Sequence, residues 1–330
     1  MKKELGIGLL LLLVCSYLAY NNPRFLSPIN LRNQAHLIGM FGIYSIGMGI
    51  VIITGGIDLS VGSVFALQGI LLSIMLVDKQ WSWPVATLCS IGWVVLLGIF
   101  HGFLVTKARL QPFIVTLCGL LLYRGLAQYV ADDQTKGFGN SEFGMLRWLA
   151  SGYVHRVPTS FILLIIIAVI MYFVLHRSVY GRYLFAVGRN EEAARFSGIK
   201  TGLVIGSAYA LAMLLASFSG ITLAFYANSI VPSSFANFYE VYGIAAAVLG
   251  GCSLRGGEGS IVGILLGTAL LQVLQNLVNL LGIRSSLNFA VMGAVILLGV
   301  LLDQLLTRRM SNRRAAAPVP SAANVRASST

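Results

Sequence analysis

Stretches of apolar residues long enough to cross a lipid bilayer recur along this chain, separated by short polar turns, and no other feature restricts its fold as strongly. Hydropathy and turn signals place them at residues 5–20, 36–54, 61–76, 85–105, 112–130, 159–175, 203–226, 241–251, 261–281 and 288–302. A bilayer-spanning helix takes roughly 20 mostly apolar residues, and its backbone groups must be satisfied within the segment because hydrocarbon offers no partners. The expected fold is therefore all-α, a polytopic transmembrane helical bundle of about ten spans. The run at 241–251 is the weakest, being too short to cross alone as a helix. With 57% of residues hydrophobic and only 10% charged, a soluble core could not enclose this much apolar surface.

Charge then orients the bundle. The formal net charge of +12 is not arranged as a basic patch interleaved with exposed aromatics, so nucleic acid is not an expected partner and membrane lipid is. Threading from a cytoplasmic N-terminus puts Lys2, Lys3, Lys107, Arg109, Arg177, Arg182, Arg189, Arg195, Lys200, Arg255, Arg308, Arg309, Arg313, Arg314 and Arg326 inside. Arg24, Arg32, Lys79, Lys136, Arg147, Arg156 and Arg284 fall outside. Lys and Arg are retained in the cytoplasm during insertion, so both termini are expected there. Trp81, Trp83, Trp148, Tyr153 and Tyr239 fall at the expected outer ends of spans, where amphipathic rings settle among headgroups. No small-x-small cleavage site precedes Asn21, Asn22 and Pro23, so the first run is expected to be a retained span. Residues 310–330, rich in Ala, Ser, Pro and Arg, are expected to form a disordered cytoplasmic tail behind a transmembrane domain of residues 1–309.

Three polar interruptions carry the functional information. The first contains Gly55, Gly56, Asp58, Ser60 and Gly62, between two apolar runs. An ionisable group at membrane depth is costly and persists only with partners or water. Asp58 either caps the following helix, accepting from its first amides and complementing its dipole, or lies with Ser60 along a polar path lined by irregular backbone. The second interruption, residues 250–260, repeats the design: Gly250 and Gly251 end an apolar run, and Gly259 and Ser260 open another. Paired glycine breaks point to a translocation path, whereas a solvated turn with Arg255 beside Glu258 is the plainer reading.

The third interruption is basic, residues 176–200. Asn190 suits a helix N-cap, Glu191 and Glu192 suit the positive helix end, and Gly198 suits the terminating position, giving two turns through Ala193, Ala194, Arg195 and Phe196. Two turns are marginal alone in water, so this helix needs something to dock against. It is either a soluble partner gripping Phe196 and Ile199 inside a rim of both charge signs, or a headgroup layer receiving Phe196.

Catalytic chemistry is missing from the pattern. There is no GxxxxGK[ST] phosphate loop, HExxH or GxSxG, and His36, His101, His155 and His176 are scattered. Cys15, Cys89, Cys118 and Cys252 lack CxxC spacing and read as small core residues. No metal, cofactor or enzymatic activity is expected. Arg124 is a cation inside a span without an acidic mate at helical spacing, placed to snorkel outward beside Asp132 or Asp133 or to cap carbonyls of a neighbouring helix.

These segments carry a family resemblance. TGGIDLSVGS at 54–63, QPFIVTLCGLLLYRGLA at 111–127, GRYLFAVGRNEEAARFSGIK at 181–200 and AAAVLGGCSLRGGEGSIVG at 245–263 resemble, in order, the ribose-type permeases of bacterial ATP-binding-cassette sugar importers. The similarity covers residues from about 20 to 305, most of the chain. It implies a homo- or heterodimer of permease chains in the inner membrane forming one sugar pathway. Two cytoplasmic ATP-binding subunits, separate or fused in tandem, would lie below and an extracytoplasmic solute-binding protein above. The stretch from Asn190 to Ile199 would then be the helix that couples to the ATPase. Two departures stand out: where the family shows an acidic pair spaced as in ELDAIAAVVLGG, this chain has Glu240 and Tyr242, and the polar loop ahead of it, Ala227 to Tyr239, is unlike the ribose pattern. An ion-coupled secondary transporter is the competing class, with Asp58 as its strongest ion-binding candidate.

Overall fold

A computed structural model describes residues 2–282 apart from residue 142, together with isolated positions between 287 and 297. Two compact units are distinguished, Met1–Ser285 and Ser286–Thr330. The second holds the expected last run, 288–302, and the tail at 310–330. Most of the run and all of the tail lie outside the described residues, as do Arg284, Arg308, Arg309, Arg313, Arg314 and Arg326. The first unit is helical almost throughout.

Its helices are α1 (Lys2–Asn21), α2 (Pro28–Ile53), α3 (Val61–Ser73, continued by a π-helical turn Ile74–Asp78), α4 (Trp83–Thr106), α5 (Pro112–Val130) and a short α6 (Met145–Ser151). A two-residue hairpin, Tyr153–Val154 against Val157–Pro158, leads into α7 (Thr159–His176). Then come α8 (Val179–Arg189), α9 (Glu191–Phe196), α10 (Thr201–Ala227), α11 (Tyr239–Leu249) and α12 (Ile261–Leu280). Among the described residues eight of these helices are long and apolar enough to cross a membrane: α1, α2, α3 with its π turn, α4, α5, α7, α10 and α12. The run at 241–251 forms α11, only 11 residues long. It is preceded by an irregular segment, 228–238, that follows the end of α10.

Local chemistry sets the boundaries. Pro28 and Pro112 open α2 and α5 at positions whose N–H groups have no intrahelical partner anyway. Side-chain caps hold the starts of α8 (Gly181 N–H to Ser178 Oγ, 3.1 Å), α9 (Ala193 N–H to Asn190 Oδ1, 2.9 Å) and α12 (Gly263 N–H to Ser260 Oγ, 3.0 Å).

Helices α2 and α10 form the centre: 89% of the most apolar window of α2 is buried inside the molecule, against 6% for α1. They pack on each other, with α4 on α10 and α7 and α12 on α2. Backbones approach closely where glycine removes the side chain, as at Gly98 and Gly102 of α4. A Cβ at either would stand 2.7 Å from α10 backbone, at Tyr209 and Gly206 respectively. The outward faces are apolar; Leu88 is 73% exposed, as is Ile29, and Leu5 71%, surface that suits acyl chains rather than water. Of the four cysteines expected in the core only Cys252 is buried, and Cys89 and Cys118 sit on exposed helix faces.

Candidate functional site

The segment between α2 and α3 is irregular backbone that buries Gly56, Asp58 and Ser60. Helix α2 stops because Gly55 turns left-handed (φ +81°) and folds its N–H back to Ile52 O, while Gly56 N–H reaches Val51 O at 3.0 Å. This paired closure of the last helical carbonyls is the Schellman arrangement. The chain then runs through Ile57, Asp58 and Leu59 to Ser60, where α3 begins. Asp58 and Ser60 are both fully buried.

One oxygen of Asp58 accepts two hydrogen bonds from Ser60, from its amide at 2.8 Å and its hydroxyl at 2.7 Å. The carboxylate thus closes a tight turn at the threshold of α3 rather than bonding the first amides within it. Its second oxygen faces His101 Nδ1 of α4 at 3.9 Å, and neither atom has a hydrogen-bond partner. On its other side His101 Nε2 bonds the Tyr123 hydroxyl of α5 at 2.8 Å. The Ile57 carbonyl accepts from Tyr209 of α10 at 3.3 Å. Helices α4, α5 and α10 therefore converge on this seven-residue break, which has the tertiary support that non-helical backbone at membrane depth requires.

The second glycine pair ends α11 in the same way. Gly251 is left-handed (φ +92°), its N–H bonds Val248 O, and Cys252 N–H bonds Ala247 O, both at 2.9 Å. The short echo seen in the sequence therefore corresponds to one backbone motif used twice. The turn at 250–260 is braced internally by Gly256 N–H to Ser253 O (2.8 Å) and Ser253 N–H to Glu258 O (3.1 Å). It is tied outward by Gly257 N–H to Ile53 O at 2.8 Å, joining it to the end of α2.

Helix α9 shows the motif a third time: Gly198 is left-handed (φ +84°), its N–H bonds Arg195 O at 3.0 Å, and Ile199 N–H bonds Ala194 O at 3.1 Å. Ala194 and Ile199 pack inward against the core formed by α2, α7, α8 and α10. The expected pair of apolar anchors therefore splits. Ile199 fastens the helix to its own bundle, while Phe196 is 85% exposed. Glu191, Glu192, Ala193, Arg195 and Gly198 are exposed around it. Glu191 also accepts the Thr201 hydroxyl at 3.1 Å, bracing the start of α10.

Arg124 does not snorkel. Its guanidinium donates to the carbonyls of Pro232 (3.0 Å) and Phe235 (2.8 Å), capping the irregular segment ahead of α11 instead of a helix end. The same segment folds over the start of α3, where a side chain at Gly62 would collide with Ala236 O and the carboxylate of the buried Glu240. Sequence reading passed over Tyr123, and took His101 only as one of four scattered histidines and Glu240 only as part of a departure from the family pattern. The available signal was that an ionisable side chain within an apolar helix always needs a partner. Among the described residues no group of three or more His, Cys, Asp or Glu side chains could hold a metal ion.

Comparison with known proteins agrees with this architecture. Residues 30–300 match the profile of the family described as branched-chain amino acid transport system / permease component. The chain is 39% identical over 303 residues to the ribose import permease protein RbsC of Bacillus subtilis, covering 92% of this chain and 93% of that one. It is 37% identical over 295 residues to the Escherichia coli K12 protein of the same name, covering 89% and 91%. It is 32% identical over 280 residues to the galactofuranose transporter permease protein YtfT of that organism, covering 85% and 80%. No solved structure gives a significant match. A multi-pass bundle of apolar helices, matched over most of its length by that profile and by these import permeases, belongs to the branched-chain permease family of transport systems.

Proposed function

We propose that this chain is the membrane-spanning permease of an ATP-binding-cassette importer for a sugar or sugar-like solute, with residues 1–309 as its transmembrane domain and residues 310–330 as a cytoplasmic tail. The observation that carries the reading is α9. It is a capped two-turn helix outside the apolar spans, fastened from beneath by Ala194 and Ile199, and it presents Phe196 within a ring of charges. A lone aromatic on a rigid charged mount is the anatomy of an interface anchor. Its occupant here is a cytoplasmic ATPase subunit, two copies of which would serve a dimer of permease chains. Support for a sugar comes from the ribose and galactofuranose relatives.

In this reading both termini are cytoplasmic, and segment 228–238 with α11 makes a crossing that α11 is too short to make alone. The breaks at Gly55, Gly56, Asp58, Ser60 and Gly62, and at Gly250 and Gly251, border the solute path. Specificity rests largely with an extracytoplasmic binding protein.

Reconstitution in vesicles tests the proposal. With the neighbouring ATPase and binding protein present, radiolabelled ribose, fructose and galactofuranose are offered in turn. ATP-dependent accumulation of one of them is the expected result. Accumulation driven by a proton or sodium gradient with this chain alone would establish a secondary transporter instead.

A further inference from the structure

Three glycine-bearing segments far apart in sequence meet backbone to backbone beneath the break. Gly188, two residues before the Asn190 cap of α9, lies against the last carbonyl of α2. A side chain there would strike Ile53 O and stand 2.6 Å from Gly257 N. Gly256, left-handed at φ +83°, lies on Gly188 in turn; its Cβ would stand 2.5 Å from Gly188 O and 2.9 Å from Gly55 N. A Cβ at Gly257 would stand 3.0 Å from the Arg189 backbone, and Gly257 donates its N–H to Ile53 O at 2.8 Å.

No flexible side chain separates the three segments. Packed backbone is stiff and resists continuous deformation, so displacement of one segment displaces the others. Beyond the junction the route is short in both directions. Toward the membrane, Ile53 is followed by Thr54, Gly55 and Gly56 and then by Asp58 with its ties to α4 and α5. Toward the cytoplasm, Gly188 and Arg189 end α8 and Asn190 begins α9.

We infer that Gly188 and Gly256 are positioning residues that make the root of α9, the end of α2 and the turn at 250–260 one rigid junction, through which motion of α9 is delivered to the buried break at Asp58. The inference deepens the coupling role proposed for α9 and rests on it. Glycine is required at both positions by steric contact rather than by any polar chemistry.

The test uses the assembled importer in vesicles, with the panel monosaccharide that the unaltered chain takes up fastest. Gly188→Ala and Gly256→Ala each lower solute moved per ATP hydrolysed by roughly tenfold or more, while ATPase subunits still copurify and still hydrolyse ATP. Gly92→Ala, at a position where a Cβ meets open space, leaves the ratio unchanged. A ratio at the unaltered level in both junction variants overturns the inference.

Should either variant fail to fold, spin labels at Ala193→Cys and Leu254→Cys, both exposed, in a chain whose four native cysteines are replaced by alanine, decide the matter. Their separation stays constant between nucleotide-free and ATP-trapped importers if the junction is rigid, and a change in it refutes the junction. Cross-linking from Ala193→Cys to the ATPase keeps the two ideas apart. Loss of the cross-link sinks the coupling role, whereas a cross-link with a changing separation sinks only the junction.

Discussion

Replacing Gly198 with proline leaves the chain inserted in the membrane but reduces ATP-driven uptake to under about a tenth of the unaltered rate, because the mount of α9 is broken. Gly198 sits at φ +84°, a conformation closed to proline, and its N–H, which proline lacks, bonds Arg195 O. The helix is only six residues long and depends on that closure to carry Ile199 back onto Ala194 and the core. A substitution of this kind costs about 3 kcal/mol or more, more than a two-turn helix holds in reserve. The spans do not depend on it, so detergent-extracted yield stays within about twofold of the unaltered chain. Gly198→Ala, strained by about 1 kcal/mol, falls between the two. Transport per ATP hydrolysed is the measurement, and unimpaired coupling in the proline variant would remove α9 from the mechanism.

The second large effect is at Asp58. In Asp58→Ala the Ser60 amide and hydroxyl lose their shared acceptor where both are shielded from water, a loss of about 1–3 kcal/mol for each orphaned group. Uptake falls by about tenfold or more, together with a lower melting temperature of the solubilised chain. Asp58→Asn separates capping from charge, since its amide oxygen can accept both Ser60 bonds while the group facing His101 becomes neutral. Because both observed hydrogen bonds involve the one oxygen, Asp58→Asn retains uptake within about threefold of the unaltered chain. Equal loss in the two variants would mean that the negative charge opposite His101 is what transport needs.

Much of this architecture is readable from residues because hydrocarbon solvation is a coarse, strong signal. Eight of the expected runs are helices of spanning length, and the run singled out as too short became the 11-residue α11. The elements of α9 were also legible, since caps and left-handed glycines act within a few residues: Asn190 does bond the Ala193 amide and Gly198 does end the helix. What sequence could not provide was the pairing of distant groups. Asp58 and His101 lie 43 positions apart with no periodic relation, and Arg124 found its partners in carbonyls more than 100 positions away.

Gly188 was hidden for a different reason. A glycine needed for close packing looks the same in one sequence as a glycine in an idle turn, and only the approach of Ile53 and Gly257 distinguishes them. The reverse also holds: Phe196 and Ile199 looked alike as anchors, and only tertiary packing assigned one to the bundle and left the other free.

Vesicles of known sidedness provide the most direct measurement of the central claim, that outside energy enters through an α9 facing the cytoplasm. A single cysteine at position 196, in a chain whose four native cysteines are replaced by alanine, is offered a membrane-impermeant maleimide. The account predicts rapid labelling in inside-out vesicles, protection when the ATPase subunit is added, and no labelling in right-side-out vesicles. Labelling from the outer surface would place α9 beyond the reach of any cytoplasmic ATPase and contradict it.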